Sequence, residues 1–319
     1  MSNELVSVVI PTFNKGKLIA ATMDSVLQQT YKNIELVLVD NGSTDDTRAR
    51  IKDYLNSRSG NFKVIELKEN KGPSNARNVG ILGSKGKYIF LLDGDDLLMP
   101  EKIDKQVRYM DINPNIGLSL TPYLIYSAKR KISTRLVSEL DPNKLVRGWI
   151  GMSYFGGLVE STGCIRRSSL DSSLLFDVSL MGSEGLDFTI RWLDRFPAGI
   201  LHEPLAVYRI SSDQLHNNVP AINENITRVT NRYISDEADK LRLLAQQAAF
   251  FRLDSIRHRS KLFIVLYLFH SLLSLNLYNI KMVWWVIKRN VKSVILGFSF
   301  KRKVNSLLDS VSGGKSLKS

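Results

Sequence analysis

The first hundred residues alternate between short apolar runs and segments in which apolar residues recur every three or four positions. Continuous apolar runs are typical of buried parallel strands, and the wider spacing is typical of helices that cover a sheet. The predicted strands are 6–13, 34–40, 62–67 and 88–92, and the predicted helices are 17–29, one capped by Ser43 or Thr44, and 72–84. This βαβαβαβ order predicts a parallel sheet with right-handed crossovers.

The rest of the chain has a less regular pattern. A helix is expected to begin near Pro100, residues 148–163 are rich in glycine and aromatic residues and predict loops, and 201–208 predicts one more extended segment. Beyond this part the pattern favours helices alone. We therefore expect an α/β domain at 1–222 and a helical extension at 223–319.

Three carboxylates follow the fourth predicted strand within four residues. Asp93, Asp95 and Asp96 come directly after the apolar run 88–92, and Gly94 separates the first two. Ligands of open α/β sheets bind just beyond the carboxyl ends of strands. Closely spaced carboxylates favour a hard divalent cation. The pattern therefore predicts a metal site at the mouth of the sheet, where the metal can neutralise phosphate charge.

The net charge of +13 is concentrated in the extension. Residues 251–319 carry 13 Lys and Arg but only two acidic residues. Within them, Lys281, Lys288 and Lys292 lie opposite an apolar helical face that contains Trp284. A basic amphipathic helix with tryptophan suits an anionic membrane surface. Helices that pack on the α/β domain and expose a solvated lysine face are the alternative, and nucleic acid is disfavoured because no recognition motif accompanies the charge.

The expected compartment follows from cysteine content and hydropathy. The single cysteine, Cys164, excludes a disulfide framework within the chain and fits a reducing compartment. No apolar run of about 18 residues predicts a spanning helix, and no basic segment precedes the first apolar run as it would in a secretory signal. We expect a cytoplasmic protein that binds peripherally to the inner face of the cell membrane.

Four motifs occur together, each at the end of a predicted strand or at the start of a helix. They are Val8-Val-Ile-Pro-Thr-Phe-Asn14, Val39-Asp-Asn-Gly-Ser-Thr-Asp45, Gly72-Pro-Ser-Asn-Ala-Arg-Asn78 and Leu92-Asp-Gly-Asp-Asp96. In this order the set resembles the family 2 nucleotide-sugar glycosyltransferases, which have a GT-A fold. The resemblance implies a Rossmann-like, mostly parallel central sheet flanked by helices, with a nucleotide-binding half at 1–100 and an acceptor half at 101–222.

The resemblance also implies where the donor binds. The implied nucleotide-binding residues are Pro11, Thr12, Phe13, Asp40, Asn41, Arg77 and Asp93. A carboxylate such as Asp40 at a strand end can accept from the imide N–H of a pyrimidine, and Arg77 can form paired hydrogen bonds with a diphosphate. Asp95 is implied to be the most direct ligand of a Mn²⁺ or Mg²⁺ ion, with Asp93 beside it.

The catalytic base is less well defined. An inverting transferase needs a carboxylate that takes the proton of the acceptor hydroxyl. The family usually supplies it from a Glu-Asp pair upstream of an arginine on a helix, and here Glu184 aligns with the first acid. Gly185 stands where the Asp that commonly acts as base would be, and Asp187 can share a helical face with Glu184. Glu184 and Asp187 both stay open as the base, and a base elsewhere in the chain or an impaired enzyme is the remaining alternative.

The expected function is metal-dependent, inverting transfer of a sugar from a nucleotide diphosphate, a UDP-sugar above all. The acceptor is expected to be a glycan or a lipid-linked saccharide of cell-surface polysaccharide synthesis. The alternative, motivated by Gly185, is a non-catalytic nucleotide-sugar-binding scaffold of a glycan-assembly complex. A nucleotidyltransferase is disfavoured, because Asn14-Lys-Gly-Lys17 stands after the first strand in place of a glycine-rich phosphate loop.

Overall fold

The protein is described here by a computed structural model. The described residues are 3–126, 133–135, 160–180, 182, 184–210, 224–225, 228–229 and 231–233. The basic segment 251–319, for which a membrane surface was the expected partner, lies outside these residues, as do the predicted loops at 148–159. Among the described residues, no helix combines the length and the apolar character needed to cross a bilayer.

Strands and helices alternate through the first hundred residues, as the pattern predicts. The strands are β1 (Val6–Thr12), β2 (Ile34–Asp40), β3 (Asn61–Glu66), β4 (Tyr88–Leu91), β5 (Leu97–Leu98), β6 (Leu118–Leu120), β7 (Tyr123–Tyr126), β8 (Ser133–Arg135), β9 (Cys164–Arg166), β10 (Ala198–Ile200) and β11 (Ala206–Arg209). The helices are α1 (Gly16–Leu27), α2 (Thr47–Asn56), α3 (Gly72–Gly83), α4 (Lys102–Ile112) and α5 (Glu184–Arg195). A short 3-10 turn, Glu160–Thr162, precedes β9.

The central sheet is seven-stranded, in the order β10-β6-β9-β4-β1-β2-β3. Neighbouring strands run parallel except around β9, which is antiparallel to both β4 and β6. The prediction of an α/β fold with a mostly parallel central sheet is therefore confirmed. Insertion of β9 beside β4 also brings the preceding turn, Glu160–Thr162, close to the acidic residues that follow β4.

Alternate residues of the central strands point to opposite faces of the sheet and contribute to two apolar layers, one on each face. On one face Val8 and Ile10 pack with Ile19 of α1, while on the other Val9 packs with Ile81 of α3. Burial on both faces explains why these strands are continuous apolar runs in the sequence.

Helix α3 lies unusually close to the sheet, because Gly80 faces it. A Cβ atom at Gly80 would lie 3.1 Å from Val39 Cγ2 and nearer still to Val9. Arg77 is three residues earlier in α3, on the same side of the helix. The close approach therefore brings the Arg77 side chain to the carboxyl ends of the strands.

A second sheet has the order β5-β11-β7-β8. β11 pairs antiparallel with β5, directly after the acidic turn, and parallel with β7. Of the extended segment predicted at 201–208, only the last three residues are strand, as part of β11 (Ala206–Arg209), while β10 ends just before the segment and joins the central sheet. The pairing with β5 brings Arg209 to the acidic turn.

Candidate active site

The ends of β1, β2 and β4 form one edge of the central sheet, which we call the carboxyl edge. Thr12 and Asp40 are paired in register, and the Asn41 N–H donates to the Thr12 carbonyl at 2.8 Å. Pro11 and Thr12 are buried at this edge, while Phe13 is partly exposed. The fold thus brings the residues of the first two motifs to the end of β4, where the acidic residues follow.

Asp40 and Asn41 fasten the loops that surround the carboxyl edge. Asp40 is buried, accepts from the Ser43 N–H at 3.2 Å and forms an ion pair with Arg48. The Asn41 side chain donates to Asn70 Oδ1 at 2.8 Å, so that it connects the end of β2 with the turn before α3. Both residues shape the cleft, and their contact with a nucleotide base stays a prediction.

The loop after β1 is tied to the start of α2. The Lys15 N–H donates to Thr47 Oγ1 at 2.8 Å. Helix α2 begins at Thr47, whose N–H donates to Asp45 Oδ1 at 3.0 Å. The prediction that Ser43 or Thr44 caps this helix is therefore wrong, because the chain makes a further turn before the helix starts.

Arg77 is the centre of a buried charge cluster. Its guanidinium donates to Asp93 at 2.8 Å and to Glu184 at 3.1 Å, and lies 3.6 Å from Glu160. It also lies 5.3 Å from the centre of the Phe176 ring. Burial alone would lower the pKa of Arg77, but the three carboxylates raise it, so that Arg77 stays charged. One cation therefore holds three acids that are distant in the sequence.

The acidic turn after β4 is held by Ser161 and Arg209. The Asp93 N–H donates to Ser161 Oγ at 3.1 Å, and that hydroxyl donates to Asp96 at 2.7 Å. The Arg209 N–H donates to Asp96 at 3.0 Å, and its side chain donates to the Asp95 carbonyl. Burial, together with the charges of Asp95 and Asp93, raises the pKa of Asp96. Asp96 thus fixes the shape of the turn.

Asp95 is the carboxylate best placed to hold a cation. Its Oδ2 lies 2.7 Å from the Lys15 ammonium, whose side chain is 18% exposed. No group of three or more His, Cys, Asp and Glu side chains in the described ranges is arranged to hold a metal ion. A single carboxylate such as Asp95 still offers the hard oxygen ligand that Mg²⁺ and Mn²⁺ prefer.

The two predicted catalytic acids of α5 have different surroundings. Glu184 is buried, with Oε1 accepting from Arg77 and Oε2 without a hydrogen-bond partner among the described residues. Asp187 is fully buried, and its oxygens accept from Arg191 at 2.8 Å, Arg232 at 2.7 Å and Tyr233 at 2.8 Å. Only Glu184 joins the Arg77 cluster, while Asp187 fastens residues 231–233 to α5.

Gly185 faces a carboxylate from another part of the chain. A Cβ atom at Gly185 would lie 3.2 Å from the Glu160 carboxyl carbon and closer still to Oε1. Apolar side chains, including Leu91, Leu118 and Phe188, line a cavity beside Glu160. Burial raises the pKa of Glu160 to about 7, against the lowering effect of Arg77.

Several buried polar atoms around the carboxyl edge have no hydrogen-bond partner among the described residues. They are Thr12 Oγ1, Ser74 Oγ, Arg77 Nε and Glu184 Oε2. A buried polar group without a partner costs about 1–3 kcal/mol. Their concentration at one edge of the sheet indicates a place where a polar ligand supplies the missing hydrogen bonds.

Four residues of this arrangement were missed by reasoning from the sequence. They are Lys15, Glu160, Ser161 and Arg209. Lys15 follows directly after a predicted strand motif, which is a signal that was present. Glu160 precedes a strand that the pattern did not predict, and nothing local marks its proximity to Gly185.

Residues 7–163 match the family model described as Glycosyl transferase family 2. The chain is 38% identical over 118 residues to the glycosyltransferase GlyG of Streptococcus pneumoniae serotype 4, a match of 36% of this chain and 39% of GlyG. It is 43% identical over 110 residues to the Escherichia coli UDP-Glc:alpha-D-GlcNAc-diphosphoundecaprenol beta-1,3-glucosyltransferase WfaP, a match of 34% of this chain and 42% of WfaP. The chain thus spans less than half the length of these relatives.

The fold is similar to that of the mannosyltransferase PcManGT from Pyrobaculum calidifontis, solved in complex with GDP-Man and Mn²⁺. The TM-score is 0.59 at 15% identity, over 91% of this chain and 86% of PcManGT. Strands β2 to β4, all of β1 except Val6, and the acidic turn after β4 lie within the residues matched by the family model. Residues 7–163 therefore form a glycosyltransferase family 2 domain, and the chain has a GT-A fold.

Proposed function

We propose that the protein is a metal-dependent, inverting glycosyltransferase whose donor is a nucleotide-diphosphate sugar, a UDP-sugar above all. The acceptor is a glycan or a lipid-linked saccharide in cell-surface polysaccharide synthesis. The activity for which WfaP is named supports this choice, since its donor is UDP-Glc and its acceptor is a sugar on a lipid diphosphate.

The observation that carries this proposal is the Arg77 cluster beside the acidic turn. Arg77 and Lys15 are two cations of the carboxyl edge, and each pairs with a carboxylate of that turn, Asp93 or Asp95. Diphosphate oxygens can replace these carboxylates as partners, because a guanidinium and an ammonium both bind phosphate. The donor diphosphate therefore binds between Arg77, Lys15 and the turn.

The residues of the acidic turn suit a polyanionic leaving group. Asp95, with Asp93 beside it, would hold a Mn²⁺ or Mg²⁺ ion that, when bound, neutralises charge on the departing nucleoside diphosphate. Gly94 lies between these two acids, and a Cβ there would lie 2.9 Å from Thr12 Oγ1. The glycine therefore permits close packing of β1 on the acidic turn.

The test is a nucleotide-binding titration of wild type and Asp95→Asn, each with and without Mn²⁺. We expect Mn²⁺ to tighten UDP binding to wild type and to have no effect on Asp95→Asn. Asp104→Asn, at an exposed ion pair with Arg108, is the matched control and should respond to Mn²⁺ as wild type does. A response of Asp95→Asn equal to that of wild type contradicts the cation assignment.

A non-catalytic scaffold remains the second candidate, because Gly185 replaces the acid that commonly acts as base. The two candidates differ in turnover, not in donor binding. Release of UDP from a panel of UDP-sugars, with a lipid-linked or glycan acceptor present, distinguishes them. Acceptor-dependent release by the wild type supports the enzyme, whereas donor binding without release across the panel supports the scaffold.

The basic segment 251–319 suits a lipid-linked acceptor, and we propose that it holds the enzyme at an anionic membrane. Its support is the sequence charge, since each basic residue near such a surface contributes about 1 kcal/mol. The full chain should bind vesicles that contain anionic lipid and should be released by high salt. Equal binding to neutral vesicles, or none to either, contradicts this part of the proposal.

A further inference from the structure

We propose that Glu160 is the catalytic base of this enzyme and that its carboxylate occupies the space left empty by Gly185. This inference rests on the proposed glycosyl transfer. It assigns the base to a residue of the 3-10 turn before β9, whereas sequence reasoning assigned it to α5.

The Glu160 carboxylate lies directly against Gly185. An Asp at position 185 would place its Cβ 3.2 Å from the Glu160 carboxyl carbon, and its own carboxyl group would need the same space. The two side chains exclude each other, so the glycine is the condition for Glu160 to lie there. A carboxylate is thus present at this place, although it comes from 25 residues earlier in the chain.

The three acids that could act as the base differ in their exposure and in their contacts. Asp187 has three hydrogen-bonding partners and no exposed surface, so that an acceptor hydroxyl has no access to it. Glu184 is only 6% exposed, and its Oε1 accepts a hydrogen bond from Arg77 at 3.1 Å. Glu160 is 17% exposed, and its ionic partner among the described residues, Arg77, is farther away at 3.6 Å. Of the three, Glu160 is the most accessible and the least constrained.

Hydrogen bonds fix the 3-10 turn that carries Glu160. The Gly163 N–H donates to the Glu160 carbonyl at 3.0 Å, and the buried Lys102 ammonium donates to the Thr162 carbonyl at 3.0 Å. Ser161 connects the same turn to Asp93 and Asp96. The turn that carries Glu160 is therefore fixed directly to the residues that handle the leaving group, as a base must be.

The protonation behaviour of Glu160 is consistent with this role. Burial, with Asp93 and Glu184 nearby, raises the pKa of Glu160 to about 7 while Arg77 opposes the rise. A base is most effective when its pKa lies near the working pH.

The reaction step is a single displacement. The acceptor hydroxyl oxygen forms a bond to the anomeric carbon as its proton passes to a Glu160 carboxylate oxygen. The bond between the anomeric carbon and the diphosphate oxygen breaks, and its electron pair leaves with the nucleoside diphosphate. Arg77 and Lys15 bind the charge of that leaving group.

The experiment compares Glu160→Gln, Glu160→Ala, Gly185→Asp and the double variant Glu160→Ala/Gly185→Asp. We expect kcat of Glu160→Gln to fall about 10²–10⁴-fold, the usual contribution of a positioned base, with donor Kd unchanged. Gly185→Asp alone should also lose activity, because its side chain displaces Glu160. The double variant should regain at least about tenfold over Glu160→Ala, because a carboxylate is restored from α5.

Glu203→Gln is the matched control, since Glu203 pairs with Lys105 at 2.7 Å on the partly exposed surface and should keep wild-type kcat. Wild-type kcat in Glu160→Gln overturns the proposal, and so does a double variant no better than Glu160→Ala. Loss of donor binding together with kcat in Glu160→Gln also overturns it, in favour of a positioning role through Arg77. A wild type that binds no nucleotide and transfers no sugar is a different result, because it removes the proposed function itself.

Discussion

The donor side and the acceptor side of the site are built in different ways. On the donor side, Asp40 ends the parallel strand β2, and Asp93 and Asp95 follow β4 within four residues, so short motifs place them. On the acceptor side, Glu160 and Gly185 come from separate elements and meet only through packing. Arg77 joins the two sides, because it binds Asp93 on one and Glu184 on the other. Local sequence therefore determines the donor side, while tertiary packing determines the acceptor side.

Substitution of Arg77 should have the largest effect, because both sides depend on it. Arg77→Ala leaves three carboxylates close together in a buried site without their cation. Breaking a buried charge pair costs about 3–5 kcal/mol of the free energy of unfolding, and we expect donor binding to be lost as well. Urea unfolding and UDP titration measure the two effects.

Arg50→Ala is the matched control for Arg77→Ala. Arg50 forms an exposed ion pair with Asp46, and such pairs contribute about 0–1 kcal/mol. An Arg77→Ala variant as stable as Arg50→Ala would show that the cluster does not link the two sides.

The pH dependence of kcat/KM tests whether Glu160 ionises as the base on the acceptor side. Glu160 faces Arg77, Asp93 and Glu184, and burial raises its pKa to about 7. A base must be ionised to accept a proton, so kcat/KM should rise about tenfold per pH unit below pH 7 and level off above it. Steady-state rates between pH 5.5 and 8.5 measure this limb, and a flat profile contradicts ionisation of the base in this range.

Asp187→Ala separates structural from catalytic acids within α5. It removes a buried carboxylate that accepts from Arg191, Arg232 and Tyr233. Hydrogen bonds to a charged group contribute about 1.5–3 kcal/mol, and we expect a loss of this size in the free energy of unfolding. The kcat of the folded variant should stay near that of wild type, since Asp187 does not touch the Arg77 cluster in the described structure.

A large fall in kcat for folded Asp187→Ala would restore Asp187 as a candidate for the base. Thermal unfolding alongside the rate assay ensures that only folded protein is compared.

The fold was predictable where each local pattern agreed with the final structure. Strand β4 is an apolar run buried on both faces, so its end and the acidic turn could be located from the sequence. β9 is three residues long and its place between β4 and β6 depends on long-range pairing, which no local pattern records.

The site residues also divide into those placed by a local pattern and those placed by long-range pairing. Asp95 was predicted as a candidate from its position after a strand, whereas Glu160 approaches Gly185 only because β9 inserts beside β4.

The glycine at 185 illustrates why the acceptor side is hard to predict. In the sequence, the missing acid suggests an impaired enzyme or a scaffold. In the structure, the same glycine gives room to the Glu160 side chain. The functional effect of a missing side chain thus depends on which neighbouring residue occupies its space.

The anomeric configuration of the first transfer product tests the central claim most directly, because it reports how the acceptor oxygen reaches the anomeric carbon. Wild-type enzyme with an α-linked UDP-sugar and a soluble acceptor can be followed by ¹H NMR as the product forms. Direct displacement by a hydroxyl that Glu160 deprotonates predicts a β-linked product with release of UDP. An α-linked product, or UDP release without any glycoside, would contradict this account.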